Sequence, residues 1–166
     1  FQEGQEIFNV TSRANGSSGK RFTILNTRRI GGRPRSPDLP VGASLPARER
    51  IKNADLLGAA KVTGQLGNIR YGLLTAFEDE TDYYAAGQRV EQAGRDFTAF
   101  RVLYEDQGGG AAYRGLGYIG TVVMHPESDA QVHAVDYRYL TQGGIWSFDG
   151  AVVTSDSDDR GQGYGA

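Results

Sequence analysis

Hydrophobic and polar residues alternate in two runs between positions 56 and 78, and Gly67-Asn68 separates the runs. Two alternating runs on either side of such a two-residue turn predict a β-hairpin. Because a slip by one residue would mix the apolar and polar faces, the pattern also predicts one register. The predicted pairs on the uncharged face are Leu66–Ile69, Gly64–Tyr71, Val62–Leu73, Ala60–Thr75 and Gly58–Phe77. Those on the other face are Gln65–Arg70, Thr63–Gly72 and Lys61–Leu74.

A second hairpin is predicted from residues 131–142 and 145–155, which flank Gly143-Gly144. One of its faces is aromatic and aliphatic, and its other face places Arg138 opposite Asp149 as a cross-strand ion pair. The predicted pairs on the apolar face are Thr141–Trp146, Tyr139–Phe148, Tyr137–Gly150 and Val135–Val152. The opposite face also pairs Leu140 with Ser147.

The remaining alternating segments predict further strands at residues 22–30, 83–92, 96–105 and 112–124. The total is about eight long strands with no convincing helix, which is typical of an antiparallel sandwich or barrel. Residues 1–21 form a leading segment that ends in a Ser/Gly-rich stretch. Residues 31–55 carry four prolines and several arginines, so they are expected to form a long loop without a helix or strand.

The alternation alone fits both a membrane barrel and a soluble β-sandwich. The predicted strands have the length of tilted membrane strands, roughly 9–11 residues, whereas soluble strands centre near 5–6. The charged residues share one face with glycine and alanine, and aromatic residues lie near the strand ends, as they do in membrane barrels. The alternative interpretation is a soluble sandwich with these aromatic residues in its core. Aromatic residues on the exposed face would indicate lipid, and aromatic residues inside would indicate a sandwich.

The composition excludes only a few classes of protein. The 166 residues suit one domain, and a net charge of −2 gives no reason to expect nucleic acid. The chain has no cysteine, which excludes a disulfide framework and a thiolate metal site. No apolar run reaches the length of a membrane helix. Because Phe1 is neither an initiator Met nor the start of a signal peptide, we interpret the chain as a fragment of a longer precursor.

Several charged residues are candidates for ligand contact. The candidates for binding an anion or a glycan are Arg28, Arg29, Arg33, Arg138 and Asp149. The structural alternative for the first two is ion pairing with carboxylates such as Glu3 or Glu6. The pair Asp136 and Asp149 shares a polar face, as the carboxylates of a glycan hydrolase would, but an ion-pair ladder explains both. No catalytic residue is assigned, and a non-enzymatic role is favoured.

The acidic tail offers candidate metal ligands. Asp156, Asp158 and Asp159 supply carboxylate oxygens at the spacing that calcium sites use, although short acidic loops are commonly only solvated. Calcium is therefore the single cofactor considered, and no resident cofactor is expected.

Five segments together resemble a bacterial family of unknown function. They read FQEGQEIFN (1–9), TRRIGGRP (27–34), AAKVTGQLGN (59–68), YIGTVVMHPESDAQVHAVDYRY (118–139) and WSFDGAVVTSDSDD (146–159). In that family a secreted module like a family 9 carbohydrate-binding domain precedes a C-terminal outer-membrane-type β-barrel. The chain departs from the family pattern at Leu25-Asn26-Thr27, where the family has a Tyr before its Ser-Arg-Arg motif.

The resemblance implies that the chain is the opening portion of the barrel domain, with a glycan-binding module upstream and further strands downstream. The implied fold is an antiparallel up-and-down meander that forms part of a transmembrane β-barrel in the bacterial outer membrane. Its implied partners are membrane lipid, the upstream module and a saccharide ligand that is bound or passed. The alternatives are a soluble β-sandwich or β-barrel binding domain and an envelope glycan hydrolase.

Overall fold

The computed structural model describes residues 5–8, 10, 24–107 and 111–165. These residues form nine β-strands, one short α-helix and two 3₁₀ turns, at Gln5–Phe8 and Thr27–Arg29. The α-helix α1 spans Ala47–Arg50. The strands are β1 (Leu56–Leu66), β2 (Ile69–Glu78), β3 (Thr81–Ala85), β4 (Gln88–Gln92), β5 (Asp96–Asp106), β6 (Ala111–Met124), β7 (Ala130–Thr141), β8 (Ser147–Ser157) and β9 (Gly163–Gly165).

Seven of the strands form one antiparallel sheet in the order β1-β2-β5-β6-β7-β8-β9, and β3 pairs only with β4. The predicted all-β, up-and-down architecture is therefore confirmed, with nine strands in place of about eight. The described residues do not close this sheet into a barrel, because β1 and β9 lie at opposite edges of the strand order. None of the helices in the described part of the chain is long and apolar enough to cross a membrane.

Both predicted hairpin registers are confirmed. In the first, β1 pairs with β2 from Leu66–Ile69 to Gly58–Phe77, as predicted. Gly67 has a φ of 56°, and Asn68 does not have a positive φ. A positive φ at the first central residue alone is the pattern of a type II′ turn, whose twist matches that of the strands. In the second, β7 pairs with β8 and places Tyr139 opposite Phe148.

The predicted strand at residues 22–30 is wrong wherever the structure describes it. Thr27–Arg29 forms a 3₁₀ turn, and the Asn26 side chain accepts a hydrogen bond from the Arg28 N–H at 3.1 Å. An asparagine that binds backbone two residues onward favours a turn over a strand. The alternating apolar residues Ile24, Leu25 and Ile30 still serve a purpose, because they pack against the core from this loop.

Two further sequence predictions need correction. Residues 83–92 are not one strand beside β5, because Ala86-Gly87 turns the chain and β3 pairs back onto β4. Both turn residues have positive φ, 50° and 80°. Because β3 and β4 pair only with each other, β2 pairs directly with β5 in the large sheet. The loop at residues 31–55 does contain one helical turn, α1, which begins after Pro46. Proline is compatible with a helix start because the first N–H groups of a helix have no intrahelical partner.

The two faces of the large sheet have opposite character. The inner face carries the core residues Leu74, Ala99, Ile119, Ala134 and Ala151, which are covered by Ile7, Phe8 and Val10. The outer face is exposed and apolar, and its large side chains include Leu73, Val102, Leu116, Val135, Tyr137, Phe148 and Val152. Charged strand residues that form ion pairs, such as Arg101 and Asp136, lie on the inner face instead, as described below.

We expect Gly67→Ala to lower the free energy of unfolding by roughly 1–2 kcal/mol, because an L-residue is strained in the left-handed region that Gly67 occupies. The midpoint of chemical denaturation of the intact protein measures this. The matched control is Gly58→Ala in β1, where an added Cβ meets open space and φ is not positive. An equal loss in both variants would contradict the turn assignment.

Candidate functional site

An ion pair crosses the inner face of the sheet. Arg101 on β5 binds both carboxylate oxygens of Asp136 on β7, and its Nη2 lies 2.8 Å from Oδ2. The Arg101 side chain is 2% exposed and that of Asp136 is 18% exposed. The side chain reaches over β6 at Gly117, where any Cβ would occupy the space of the guanidinium. This pair is therefore a buried charge contact whose path depends on the absence of a side chain at residue 117.

A second polar group lies near the end of the sheet that carries the turns at 67–68 and 142–146, here called the turn end. Glu105 accepts a hydrogen bond from the Tyr113 hydroxyl at 2.7 Å and pairs with Arg70 at 3.3 Å. The Arg138 guanidinium lies 5.6 Å from the centroid of the Tyr113 ring. The predicted register opposite Asp149 is confirmed. Arg138 and Asp149 thus belong to a polar inner surface that spans β2 to β8.

The opposite end of the sheet, the loop end, carries the connection 79–95 and the turns at 125–129 and 158–162. Glu78 is buried there and binds Arg95 through both oxygens, at 2.8 and 3.1 Å. It also accepts a hydrogen bond from the Gly31 N–H at 2.9 Å. Arg95 in turn donates to the carbonyl oxygens of Arg29 and Arg33, each at 3.3 Å. This pair therefore fastens the start of the 31–55 loop to the sheet.

The rest of the loop is fastened to the β3–β4 hairpin. The buried Glu49 accepts from the Tyr84 N–H at 3.2 Å and pairs with Lys52 at 2.6 Å. Lys52 also donates to the Asp82 carbonyl oxygen at 2.7 Å. The hydrogen bond from the Lys52 ammonium holds the pKa of the Glu49 carboxyl below its ordinary value of 4.5. The loop at residues 31–55 is thus bound to the hairpin through Glu49 and Lys52, although most of its residues are exposed.

The candidate calcium ligands do not converge. Asp159 pairs with Arg35 at 3.0 Å, and this hydrogen-bonded contact lowers the pKa of the Asp159 carboxyl. Asp158 accepts a hydrogen bond from the Asp129 N–H at 2.9 Å, and Asp156 lies within β8. Among the residues that the structure describes, no group of three or more acidic, histidine or cysteine side chains is arranged to hold a metal ion.

The candidate ligand residues fall into two separate groups. Arg28, Arg29 and Arg33 are exposed at the loop end, where Arg95 binds the carbonyl oxygens of Arg29 and Arg33. Arg138 and Asp149 lie toward the turn end of β7 and β8. The structure does not bring the two groups together. The suggested pairing with Glu3 or Glu6 involves side chains that lie outside the described part of the chain.

Sequence reasoning missed Arg101 as the partner of Asp136. The two residues lie on strands that are not neighbours, because β6 runs between β5 and β7. The feature of the sequence that could have indicated this contact was Gly117, a residue without a side chain on the polar face of β6. The structure also shows a cavity of about 130 Å³ between the sheet and the N-terminal part of the chain. It is lined mainly by apolar residues, among them Phe8, Ile30, Leu56 and Leu74.

Comparison with known proteins gives no counterpart for this chain. No family model matches it, and neither a curated protein nor a solved structure does so. The resemblance to a bacterial barrel family with a carbohydrate-binding module therefore stays a prediction.

We expect Asp136→Ala to lower the free energy of unfolding by about 3–5 kcal/mol, because it leaves the buried Arg101 guanidinium without its counter-charge. The change is measured by chemical denaturation. The matched control is Asp106→Asn, which removes one ion-pair partner of the more exposed Arg114 and should cost no more than about 1 kcal/mol. Similar losses in both variants would show that Arg101 is solvated in solution.

We expect acid to loosen the 31–55 loop before the sheet unfolds. Because the folded pKa of Glu49 is depressed, its contact stabilises the loop above the ordinary value of 4.5 and is lost as pH falls through the lowered folded value. The amide resonance of Tyr84, whose N–H binds Glu49, reports this in a titration from about pH 7 to about pH 3. Glu49→Gln should abolish the transition, and Glu80→Gln at an exposed position should leave it unchanged.

Proposed function

We propose that this chain is part of an outer-membrane-type β-barrel, with the outer face of the sheet against lipid and the charged inner face toward the barrel interior. The observation that carries the proposal is the exposed apolar outer face, which lies opposite an inner face that carries charged side chains beside the apolar core. Arg101 and Asp136 are covered on the inner face, whereas Leu116 and Val135 are exposed on the outer face. A water-soluble sheet with one free face carries polar residues on that face, whereas the free face here is apolar.

The composition and length of the strands support the proposal. The five long strands after β1 have 10 to 14 residues, enough to cross a tilted membrane span. Toward the turn end, Tyr71, Tyr104, Tyr137 and Tyr139 are exposed on the outer face, and Phe77 is exposed toward the loop end. Aromatic residues at both margins of an apolar band are typical of barrel strands at the two membrane interfaces.

The edges of the sheet are consistent with a larger barrel. Among the described residues, β1 pairs only with β2, and β9 covers only Val153–Ser155 of β8. Backbone groups that face lipid need hydrogen-bond partners, so these edges require further strands in a membrane. β1 and β8 run in opposite directions, so an even number of strands between them completes an antiparallel barrel. Association with a glycan-binding module and binding or passage of a saccharide belong to the same proposal and are supported by the sequence resemblance alone.

One feature of the outer face favours the alternative, a soluble β-sandwich whose second layer covers the apolar band. Toward the loop end, the outer face carries polar residues, among them Gln131 and Asp156. Near the middle of the sheet the Tyr118 hydroxyl hydrogen-bonds to His133 Nδ1 at 2.7 Å. These groups shorten the apolar band on β7 and β8. Substitution within that band distinguishes lipid from a second protein layer.

We expect the intact protein to be recovered in the outer-membrane fraction, to need detergent for extraction and to migrate faster on gels before heating than after. Val135→Lys should abolish membrane recovery, because a lysine on the lipid face near mid-membrane costs roughly 2–4 kcal/mol. The matched control is Gln142→Lys in the exposed β7–β8 turn, which should insert normally.

The opposite result has a clear signature. A protein that stays in solution without detergent, with no heat-dependent change in mobility, would exclude the barrel. In a soluble sandwich, Val135→Lys would instead weaken packing of the second layer without any effect on a membrane fraction.

A further inference from the structure

The N-terminal part of the chain is packed against the interior surface of the sheet. The 3₁₀ turn Gln5–Phe8 contacts β2 and β5. Ile7, Phe8 and Val10 are 4%, 5% and 2% exposed, which makes them as buried as the strand residues they cover. Their cluster includes one residue from each of the five strands β2, β5, β6, β7 and β8. The segment therefore belongs to an apolar cluster on the inner face that extends from β2 to β8.

The sheet is shaped to receive this segment. At Gly72 on β2, an added Cβ would lie 2.9 Å from the Phe8 ring and 3.1 Å from Ile7 Cγ2. The other strand positions beneath the segment are mostly alanines, namely Ala99, Ala134 and Ala151. Larger side chains at these positions would fill the space themselves. The small residues thus form a niche on the inner face of the sheet.

We propose that residues 5–8 and 10 form an N-terminal plug that closes the interior of the barrel to water and small polar solutes. The inference rests on the proposed function, since only a barrel has an interior to close. An apolar plug bound to an apolar floor separates the polar inner surface around Arg138 and Tyr113 from the loop end. The intact protein is then a closed barrel, and passage of a polar solute such as a saccharide requires the plug to leave its niche.

Disulfide cross-linking tests the position of the plug. The chain has no cysteine, so a pair of introduced cysteines reports without background. Ile7→Cys with Gly72→Cys should cross-link nearly completely on mild oxidation, because a Cβ at residue 72 lies within disulfide range of residue 7. The matched control is Ile7→Cys with Gly58→Cys, since Gly58 faces open space beside Phe77 on the outer face.

Ion conductance tests closure. In planar bilayers the wild-type protein should conduct little, and Gly72→Val should raise the conductance by at least about tenfold, as a water-filled barrel interior would. Valine suits a strand, so the substitution displaces Phe8 and Ile7 while it leaves β2 paired. Thr63→Val on β1, the register partner of Gly72, should leave conductance unchanged.

The outcomes separate the two proposals. Cross-linking no better than in the Gly58 control overturns the plug while membrane insertion is unaffected. Insertion with equal conductance in wild type and Gly72→Val overturns closure by the plug. A protein that does not enter membranes overturns the proposed function and the closed barrel with it, and the cross-link then identifies the plug residues as part of a soluble core.

Discussion

Alternation of side chains along paired strands is the constraint on which the rest of this structure depends. In an antiparallel sheet one register decides the partners on both faces at once. Here the register that places Tyr139 opposite Phe148 on the outer face also places Arg138 opposite Asp149 on the inner face. A slip by one residue would put charge among the exposed apolar side chains and apolar residues among the ion pairs. The polarity of both faces therefore stabilises the same pairing.

The charged inner face is stable only because small residues make room for its contacts. Arg101 reaches Asp136 by crossing β6 over Gly117, and the two groups form a bidentate pair that offsets much of the cost of removing them from water. Among the described residues, Arg101 Nε has no hydrogen-bond partner, so the compensation is incomplete. A buried pair of this kind does not stabilise the fold more than apolar residues at the same positions would. It is consistent with a surface whose ordinary environment is polar, as the interior of a membrane barrel is.

The sequence predicts much of this fold because the two best hairpins are encoded locally. Gly67-Asn68 and Gly143-Gly144 are flanked by alternating runs, and both registers were confirmed. The sequence predictions that were wrong have physical causes. Asn26 caps a turn within an alternating segment, and Ala86 adopts a positive φ that an alanine seldom shows. The Arg101–Asp136 contact spans non-adjacent strands, which a pairwise comparison of neighbouring strands does not reveal. The candidate ligand arginines at residues 28, 29 and 33 were separated from Arg138 because their loop folds toward the opposite end.

Contacts at the loop end and on the inner face of the sheet bury part of its charged side. At the loop end, the 31–55 loop is bound through Glu78 and Glu49, both buried carboxylates with several donors. In the interior, Phe8 fills the space left by Gly72. Glu78 and Phe8 are buried on the inner face, whereas the outer face keeps large apolar side chains exposed. A sheet that covers part of its charged side and presents its apolar side outward fits the proposed membrane setting, in which lipid contacts the outer face of the longest strands without a second protein layer.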